Sequence, residues 1–212
     1  MTDTAISRTV VEMLLDIGAI KLNVKRPYTW SSGWKSPIYC DNRLSLSYPD
    51  IRDYIKEKLA GLASEKFPDA EAIAGVATAG IPQGALVADE LHLPFLYVRS
   101  KSKGHGLGNM IEGKITKKQK VIVVEDLVST GNSSLKAAEA LKNARFNVLG
   151  MLAIFSYGFD IADQNFAAAG LPLYTLSSYA DMLKVAREKG IVGDKDLILL
   201  KSWRVDPKNW RR

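Results

Sequence analysis

The run Val121–Val124 (Val-Ile-Val-Val) constrains the fold more than any other part of this chain. Four consecutive apolar, β-branched residues are typical of a strand that is covered on both faces, and such strands belong mainly to parallel sheets flanked by helices. A strand with one face in water would alternate apolar and polar residues instead. We therefore expect this run to be the central strand of an α/β fold.

Helical and extended patterns alternate around that run. Apolar spacing predicts helices at 5–17, ended by Gly18, and at 49–66, started by Ser47, Pro49 and Asp50. Strands are predicted at 72–77, 94–98, 120–124 and 148–155, with helical stretches near 81–91 and 132–144 between them and more helical pattern in 158–190. This order predicts a central, mostly parallel sheet flanked by helices. A length of 212 residues fits one domain spanning 1–212.

Composition excludes several classes of protein. The single cysteine, Cys40, rules out an intrachain disulfide and a cysteine-cluster metal site, and it favours a reducing, cytoplasmic location. No apolar segment suggests a membrane span, so no membrane partner is expected. The net charge is +6: residues 99–120 carry +6, the tail from Lys201 carries +4, and the rest of the chain carries −4. This distribution favours one polyanion site over a general nucleic-acid-binding face.

The stretch 121–134 carries the most specific chemical signal. A buried strand runs into Glu125 and Asp126, followed by a turn of small residues and then a helix. Ligands of open parallel sheets bind beyond the carboxyl ends of the strands. The turn's N–H groups, hydroxyls and helix start predict a phosphate cradle, while the carboxylates suit ribose hydroxyls. The alternative is that Asp126 only begins the turn and the hydroxyl side chains only cap the helix.

The same stretch resembles the phosphoribosyl-diphosphate signature of type I phosphoribosyltransferases. Both have four apolar residues, Glu-Asp, two apolar residues, Ser-Thr-Gly and small polar residues. The resemblance implies that phosphoribosyl diphosphate is bound by Glu125, Asp126, Leu127, Val128, Ser129, Thr130, Gly131, Asn132 and Ser133.

Three further stretches are similar to the orotate phosphoribosyltransferase family: 29–43, 75–82 and 97–113. With the first signature, the similarity covers roughly residues 20–155 in the family's order. It implies Mg²⁺-dependent transfer of a 5-phosphoribosyl group from phosphoribosyl diphosphate to N1 of orotate. The products would be orotidine 5′-monophosphate and diphosphate, in de novo pyrimidine (UMP) biosynthesis. It also implies a homodimer in which a loop of each subunit reaches its neighbour's site.

A basic, glycine-flanked segment at 99–113 is predicted to form a mobile lid. It carries Arg99, Lys101, Lys103 and His105, which would neutralise a departing diphosphate. A solvated basic loop is the alternative. The turn Thr78-Ala79-Gly80 is a second candidate anion site, to which the resemblance gives contacts with the diphosphate.

Residues 20–45 are predicted to form a hood over the base. Orotate is a carboxylate, so its site needs donors or a cation, which Lys35 or Arg43 could supply. By its place in the motif, Ser129 is also assigned to orotate. The chain departs from enterobacterial members of the family at Ser31, where they have lysine, and at Ser156-Tyr157, where they have arginine.

The predicted catalytic residues are Lys103, Asp126 and His105. Asp126 with Glu125 would stabilise the cationic sugar, and Lys103 with Arg99 and His105 would neutralise or protonate diphosphate. Magnesium would be held mainly through substrate oxygens and waters, with no direct protein ligand. Two alternatives stay open: a purine or uracil phosphoribosyltransferase, and a non-catalytic regulator that binds RNA or DNA.

Overall fold

The computed structural model describes residues 3–30, 32–101, 110–114 and 116–210. Its helices are α1 Thr4–Asp16, a 3₁₀ helix Asn42–Ser47, α2 Pro49–Lys66, α3 Gly80–Glu90, α4 Asn132–Asn143, α5 Asp160–Ala168, α6 Tyr179–Glu188 and α7 Asp194–Val205. Its strands are β1 Ile20–Leu22, β2 Tyr28–Thr29, β3 Lys35–Ser36, β4 Ile38–Cys40, β5 Ala72–Val76, β6 Phe95–Val98, β7 Ile111–Glu112, β8 Lys120–Val128, β9 Asn147–Ser156 and β10 Leu173–Ser178.

Six strands form the main sheet in the order β10-β9-β8-β5-β6-β7. All neighbouring pairs are parallel except β6 with β7. Val121–Val124 lies inside this sheet and is completely buried, which confirms the predicted central strand. The predicted fold class is also confirmed.

Apolar side chains pack on both faces of the sheet. One cluster joins the sheet to α1, α2, α6 and α7, and the other joins it to α4 and α5. Because every parallel crossover is a helix or contains one, both faces are covered and the carboxyl ends of β5, β8 and β9 open onto one edge. None of the helices in the described part of the chain combines the length and apolar composition that crossing a bilayer requires.

Two helix predictions hold in detail, and one cap prediction is wrong. Gly18 adopts a positive φ of 69° directly after α1, as a left-handed C-terminal residue should. Pro49 begins α2 with Asp50 in its first turn. Ser47, however, does not cap α2: it ends the 3₁₀ helix, and Tyr48 occupies the N-cap position without a side-chain hydrogen bond.

Two strands differ from the expected pattern. The strand predicted at 120–124 continues to Val128, so Glu125 and Asp126 lie within β8 rather than after it. Residues 158–190, read as helical, contain the edge strand β10 between α5 and α6. Four of its six residues are only half-buried, and this weak burial explains why its sequence shows no long apolar run.

The N-terminal hood region contains two small antiparallel sheets. β1 pairs with β4, with Ile20 opposite Cys40, and β2 pairs with β3, with Thr29 opposite Lys35. The β2–β3 hairpin has only two residues per strand, so packing against the main body must set its position.

Candidate active site

Glu125 and Asp126 lie side by side at the carboxyl end of β8. Glu125 is buried and Asp126 is half-buried. The Asp126 N–H donates to Glu125 Oε1 over 3.1 Å, and Ser134 Oγ donates to Glu125 Oε2 over 3.2 Å. Burial, followed by the Asp126 charge, raises the pKa of Glu125 well above its usual value, and burial also raises the pKa of Asp126. Both shifts favour the protonated form of each carboxyl more than exposure to water would.

The turn that follows β8 presents main-chain N–H groups. Gly131 is the N-cap residue of α4 with a φ of 78°, and no side chain caps this helix. The alternative that the turn's hydroxyls serve as helix caps therefore does not hold. Asn165 of α5 supports the turn from outside, donating to Thr130 O over 3.0 Å. An uncapped N-terminus of a 12-residue helix attracts anions.

The turn before α3 lies against β8. Thr78 is exposed and Gly80 is buried, and the Ala77–Thr78 peptide is cis. A Cβ atom on Gly80 would lie 2.5 Å from Val124 O and 3.2 Å from Glu125 Cα. Only glycine allows this approach, which brings the Thr78-Ala79-Gly80 turn next to the acidic pair.

A cavity of about 480 Å³ lies between the hood and the ends of β8 and β9. Its lining includes three aromatic residues, Trp30, Tyr39 and Tyr157. The remaining lining residues are Thr29, Ser32, Cys40, Leu127 and Ser129. Burial, above all, raises the pKa of the Tyr157 phenol, which is therefore a neutral donor at physiological pH. The cavity suits a flat ring that carries polar substituents.

Neither of the two cations predicted for orotate is a lining residue of this cavity. Lys35 Nζ donates to Thr29 Oγ1 over 2.8 Å, so one lining residue separates it from the cavity. Arg43 forms two hydrogen bonds with Asp41, of 2.7 and 2.8 Å. This contact lowers the pKa of Asp41 and raises the pKa of Arg43. Of the residues predicted for orotate, Ser129 alone is a lining residue.

The predicted lid is described only at its two ends. Arg99 N donates to Met110 O over 2.8 Å, and Arg99 Nη1 lies 3.5 Å from Glu112 Oε1. Lys101 is exposed. Lys103 and His105 lie outside the described residues, as does Ser31 of the hood. The C-terminal part of the 99–113 segment forms β7, which pairs with β6.

Sequence reasoning missed several residues that shape the site. Asn42 of the 3₁₀ helix is completely buried and donates to Asp126 O over 2.8 Å. Ser134 stood inside the signature and could have been assigned from it. Asn165 and Asn42 gave no comparable signal, because their partners are distant in sequence.

The fold and this site define the chain as a phosphoribosyltransferase. The family model described as "Phosphoribosyl transferase domain" matches residues 44–163, more than half of the chain. The matched range includes the acidic pair, both turns and the segment predicted to form a lid.

Comparison with curated relatives shows which family of phosphoribosyltransferases the chain belongs to. The chain is 52% identical over 206 residues to an orotate phosphoribosyltransferase of Cytophaga hutchinsonii, covering 97% of this chain and 99% of that one. It is 53% identical over 205 residues to one from Bacteroides fragilis, covering 97% of each. The crystal structure of orotate phosphoribosyltransferase from Aeropyrum pernix matches with a TM-score of 0.75 and 28% identity, covering 87% of this chain and 99% of that one. The chain belongs to the orotate phosphoribosyltransferase family, which confirms the resemblance seen in the sequence.

Proposed function

We propose that this enzyme transfers the 5-phosphoribosyl group of phosphoribosyl diphosphate to N1 of orotate in de novo pyrimidine biosynthesis. The C1–oxygen bond to diphosphate breaks, the C1–N1 bond forms, and the N1 proton leaves to solvent or diphosphate. One observation carries the proposal: the acidic pair, with Glu125 buried and Asp126 half-buried, lies between an uncapped helix N-terminus and an aromatic cavity. Membership of the family supports it, and a cytoplasmic location is our prediction from the lone cysteine.

We assign the parts of phosphoribosyl diphosphate to three neighbouring groups of residues. The 5-phosphate binds the turn Ser129–Ser133 at the start of α4, where N–H groups and hydroxyls are available. The ribose hydroxyls bind Glu125 and Asp126 of β8. The diphosphate binds the turn Thr78–Gly80 together with Arg99, Lys101, Lys103 and His105 of the lid.

Orotate occupies the cavity under the hood. Its ring stacks among Trp30, Tyr39 and Tyr157, which offer aromatic faces. Ser129 contacts the base from the phosphate turn. Lys35 supplies the positive charge for the carboxylate, since its Nζ donates a hydrogen bond to Thr29, which lines the cavity. Arg43 is the second candidate for this role.

Catalysis then depends on charge placement more than on covalent chemistry. As the C1–oxygen bond breaks, the ribose gains oxocarbenium character and the diphosphate gains negative charge. Asp126, supported by Glu125, stabilises the sugar. Lys103, with Arg99 and His105, neutralises or protonates the diphosphate after the lid closes.

Magnesium is the cofactor that we propose. Within the described residues, no three His, Cys, Asp or Glu side chains are grouped so that they could hold a metal ion. We expect the ion to take its ligands mainly from substrate oxygens and water, next to the acidic pair that binds the ribose hydroxyls. When bound, the ion would offset the charge of the diphosphate. We also propose a homodimer in which the lid acts on the partner's site.

A diphosphate-release assay tests the function. Phosphoribosyl diphosphate and Mg²⁺ are supplied with orotate, with uracil, with adenine or without a base. We expect diphosphate to be released only in the arm that contains orotate. Release with a neutral base instead would show a different phosphoribosyltransferase. No release in any arm, together with strongly salt-dependent binding of RNA or DNA, would favour the non-catalytic regulator.

A further inference from the structure

We propose that Trp203 of the C-terminal helix α7 is a positioning residue that sets the width of the base cavity. The proposal rests on the proposed function, because it concerns the cavity assigned to orotate. Trp203 lies well outside residues 44–163, where the family model matches, and it does not line the cavity itself. It acts through two residues that do, Trp30 and Tyr157.

Trp203 is bonded directly to the hood. Its side chain is completely buried, and its Nε1–H donates to the carbonyl oxygen of Lys35 over 3.0 Å. Lys35 begins β3 of the two-residue hairpin, whose own ladder is too short to hold it in place. A buried indole N–H that finds a main-chain acceptor fixes both groups, because losing the bond would leave a buried donor unsatisfied.

The same ring contacts both walls of the cavity. Its centroid lies 5.6 Å from that of Trp30 on the hood and 5.8 Å from that of Tyr157 after β9, each in an edge-to-face arrangement. Trp30 and Tyr157 are themselves 5.0 Å apart. Trp203 thus completes a triangle of rings, so the separation of the two walls depends on the space that it fills.

Neighbouring contacts hold α7 and the hood in this arrangement. Arg204 donates to Gly158 O, which fixes α7 to the segment that follows β9. Trp30 Nε1 donates to Ile38 O over 3.2 Å, which orients the Trp30 ring. Phe159 packs on Trp203 with centroids 5.4 Å apart.

This placement predicts a selective kinetic effect. The turn at 129–133 and the acidic pair are held by α4, α5 and the 3₁₀ helix, through contacts that do not involve Trp203. Shrinking the Trp203 side chain should therefore loosen orotate and leave phosphoribosyl diphosphate binding almost unchanged. A general loss of stability would not separate the two substrates in this way.

The test measures KM for each substrate and kcat in Trp203→Leu, Trp203→Phe and the control Phe67→Leu. Phe67 is a buried aromatic residue of the same core cluster, and it contacts Tyr174 and approaches Gly150 near the opposite end of β9. We expect Trp203→Leu to raise KM for orotate about 10-fold or more and KM for phosphoribosyl diphosphate less than about twofold. Trp203→Phe should have a smaller effect of the same kind. Phe67→Leu should change neither KM value in this way.

The proposal would be overturned if Trp203→Phe changed both KM values equally or changed neither of them. If Trp203→Leu fails to fold, the result for Trp203→Phe decides the test. Amide hydrogen exchange gives a readout that does not need orotate turnover. In Trp203→Phe we expect faster exchange across 28–36 and unchanged exchange in β8. Unchanged exchange across 28–36 would contradict the positioning role. An inactive wild-type protein would instead refute the proposed function, so the two failures are distinguishable.

Discussion

The side-chain amide of Asn42 donates a hydrogen bond to the main-chain carbonyl of Asp126, with Nδ2 and O 2.8 Å apart. This bond joins the 3₁₀ helix at the end of the hood region to the acidic end of β8. Asn42 also accepts a hydrogen bond from Cys40 Sγ, at 3.2 Å, and Cys40 lines the cavity. One buried amide therefore couples the position of the base cavity to that of the carboxylates.

Replacing Asn42 with alanine tests this coupling. The change leaves the main-chain carbonyl of the half-buried Asp126 without this donor and opens a small gap, so we expect the free energy of unfolding to fall by about 1–3 kcal/mol. We also expect kcat to fall about 10-fold, because Asp126 loses the hydrogen bond that holds its main chain in position. Denaturant unfolding and steady-state kinetics measure the two effects. Ser47→Ala, at an exposed position of the same 3₁₀ helix, should change neither; full activity in Asn42→Ala would contradict the coupling.

Replacing Glu125 with glutamine should raise stability at neutral pH while abolishing most activity. The pKa of Glu125 is raised in the folded chain. The carboxyl therefore stabilises the fold below its unfolded pKa of about 4.3, and this contribution is lost as the pH rises through the folded pKa. Glutamine removes the buried charge, so we expect a gain on the order of 1 kcal/mol at pH 8 that shrinks towards pH 4.

Urea unfolding of both proteins at pH 4.5, 6 and 8 measures this difference. Glu139→Gln, on the outer side of α4, is the control that removes a carboxylate at an exposed position. A stability difference between wild type and Glu125→Gln that does not grow with pH would contradict the raised pKa.

Gly80→Ala should damage the proposed diphosphate site. The new methyl group would lie 2.5 Å from Val124 O, so either the turn or β8 must move. We expect KM for phosphoribosyl diphosphate to rise about 10-fold and stability to fall by about 1–3 kcal/mol. Gly61→Ala is a matched control, because its Cβ meets nothing within 4 Å and helical glycine is unfavourable. It should stabilise the chain by about 0.5–1 kcal/mol; equal behaviour of the two variants would refute the packing argument.

The sequence predicted the elements whose signals are local. Val121–Val124 specified a doubly covered strand, and Gly18 specified a helix end, because each depends on residue type and near neighbours. The acidic pair and its turn were found for the same reason. Trp203 and Asn42 could not be assigned, since their roles arise from hydrogen bonds to Lys35 and Asp126, 168 and 84 positions away. Only the folded chain brings these residues together.

Lys103→Ala tests the proposed lid. If Lys103 neutralises the diphosphate as it leaves, its loss should lower kcat about 10-fold or more, with no change in thermal stability. Lys117→Ala removes an exposed cation just beyond the lid segment and should retain wild-type kinetics. Near-normal turnover by Lys103→Ala would remove this lysine from the mechanism.

Mixing two inactive variants tests whether the lid acts on the partner's site. In a heterodimer of Lys103→Ala with Asp126→Asn, one site would combine an intact Asp126 with an intact Lys103 from the other subunit. The second site would carry both changes. Random pairing at equal concentrations makes about half of the dimers mixed, each with one working site, so recovery should approach about one quarter of wild-type activity. A lid that serves its own subunit would give no recovery after mixing, provided that gel filtration of subunits of different tag length shows exchange.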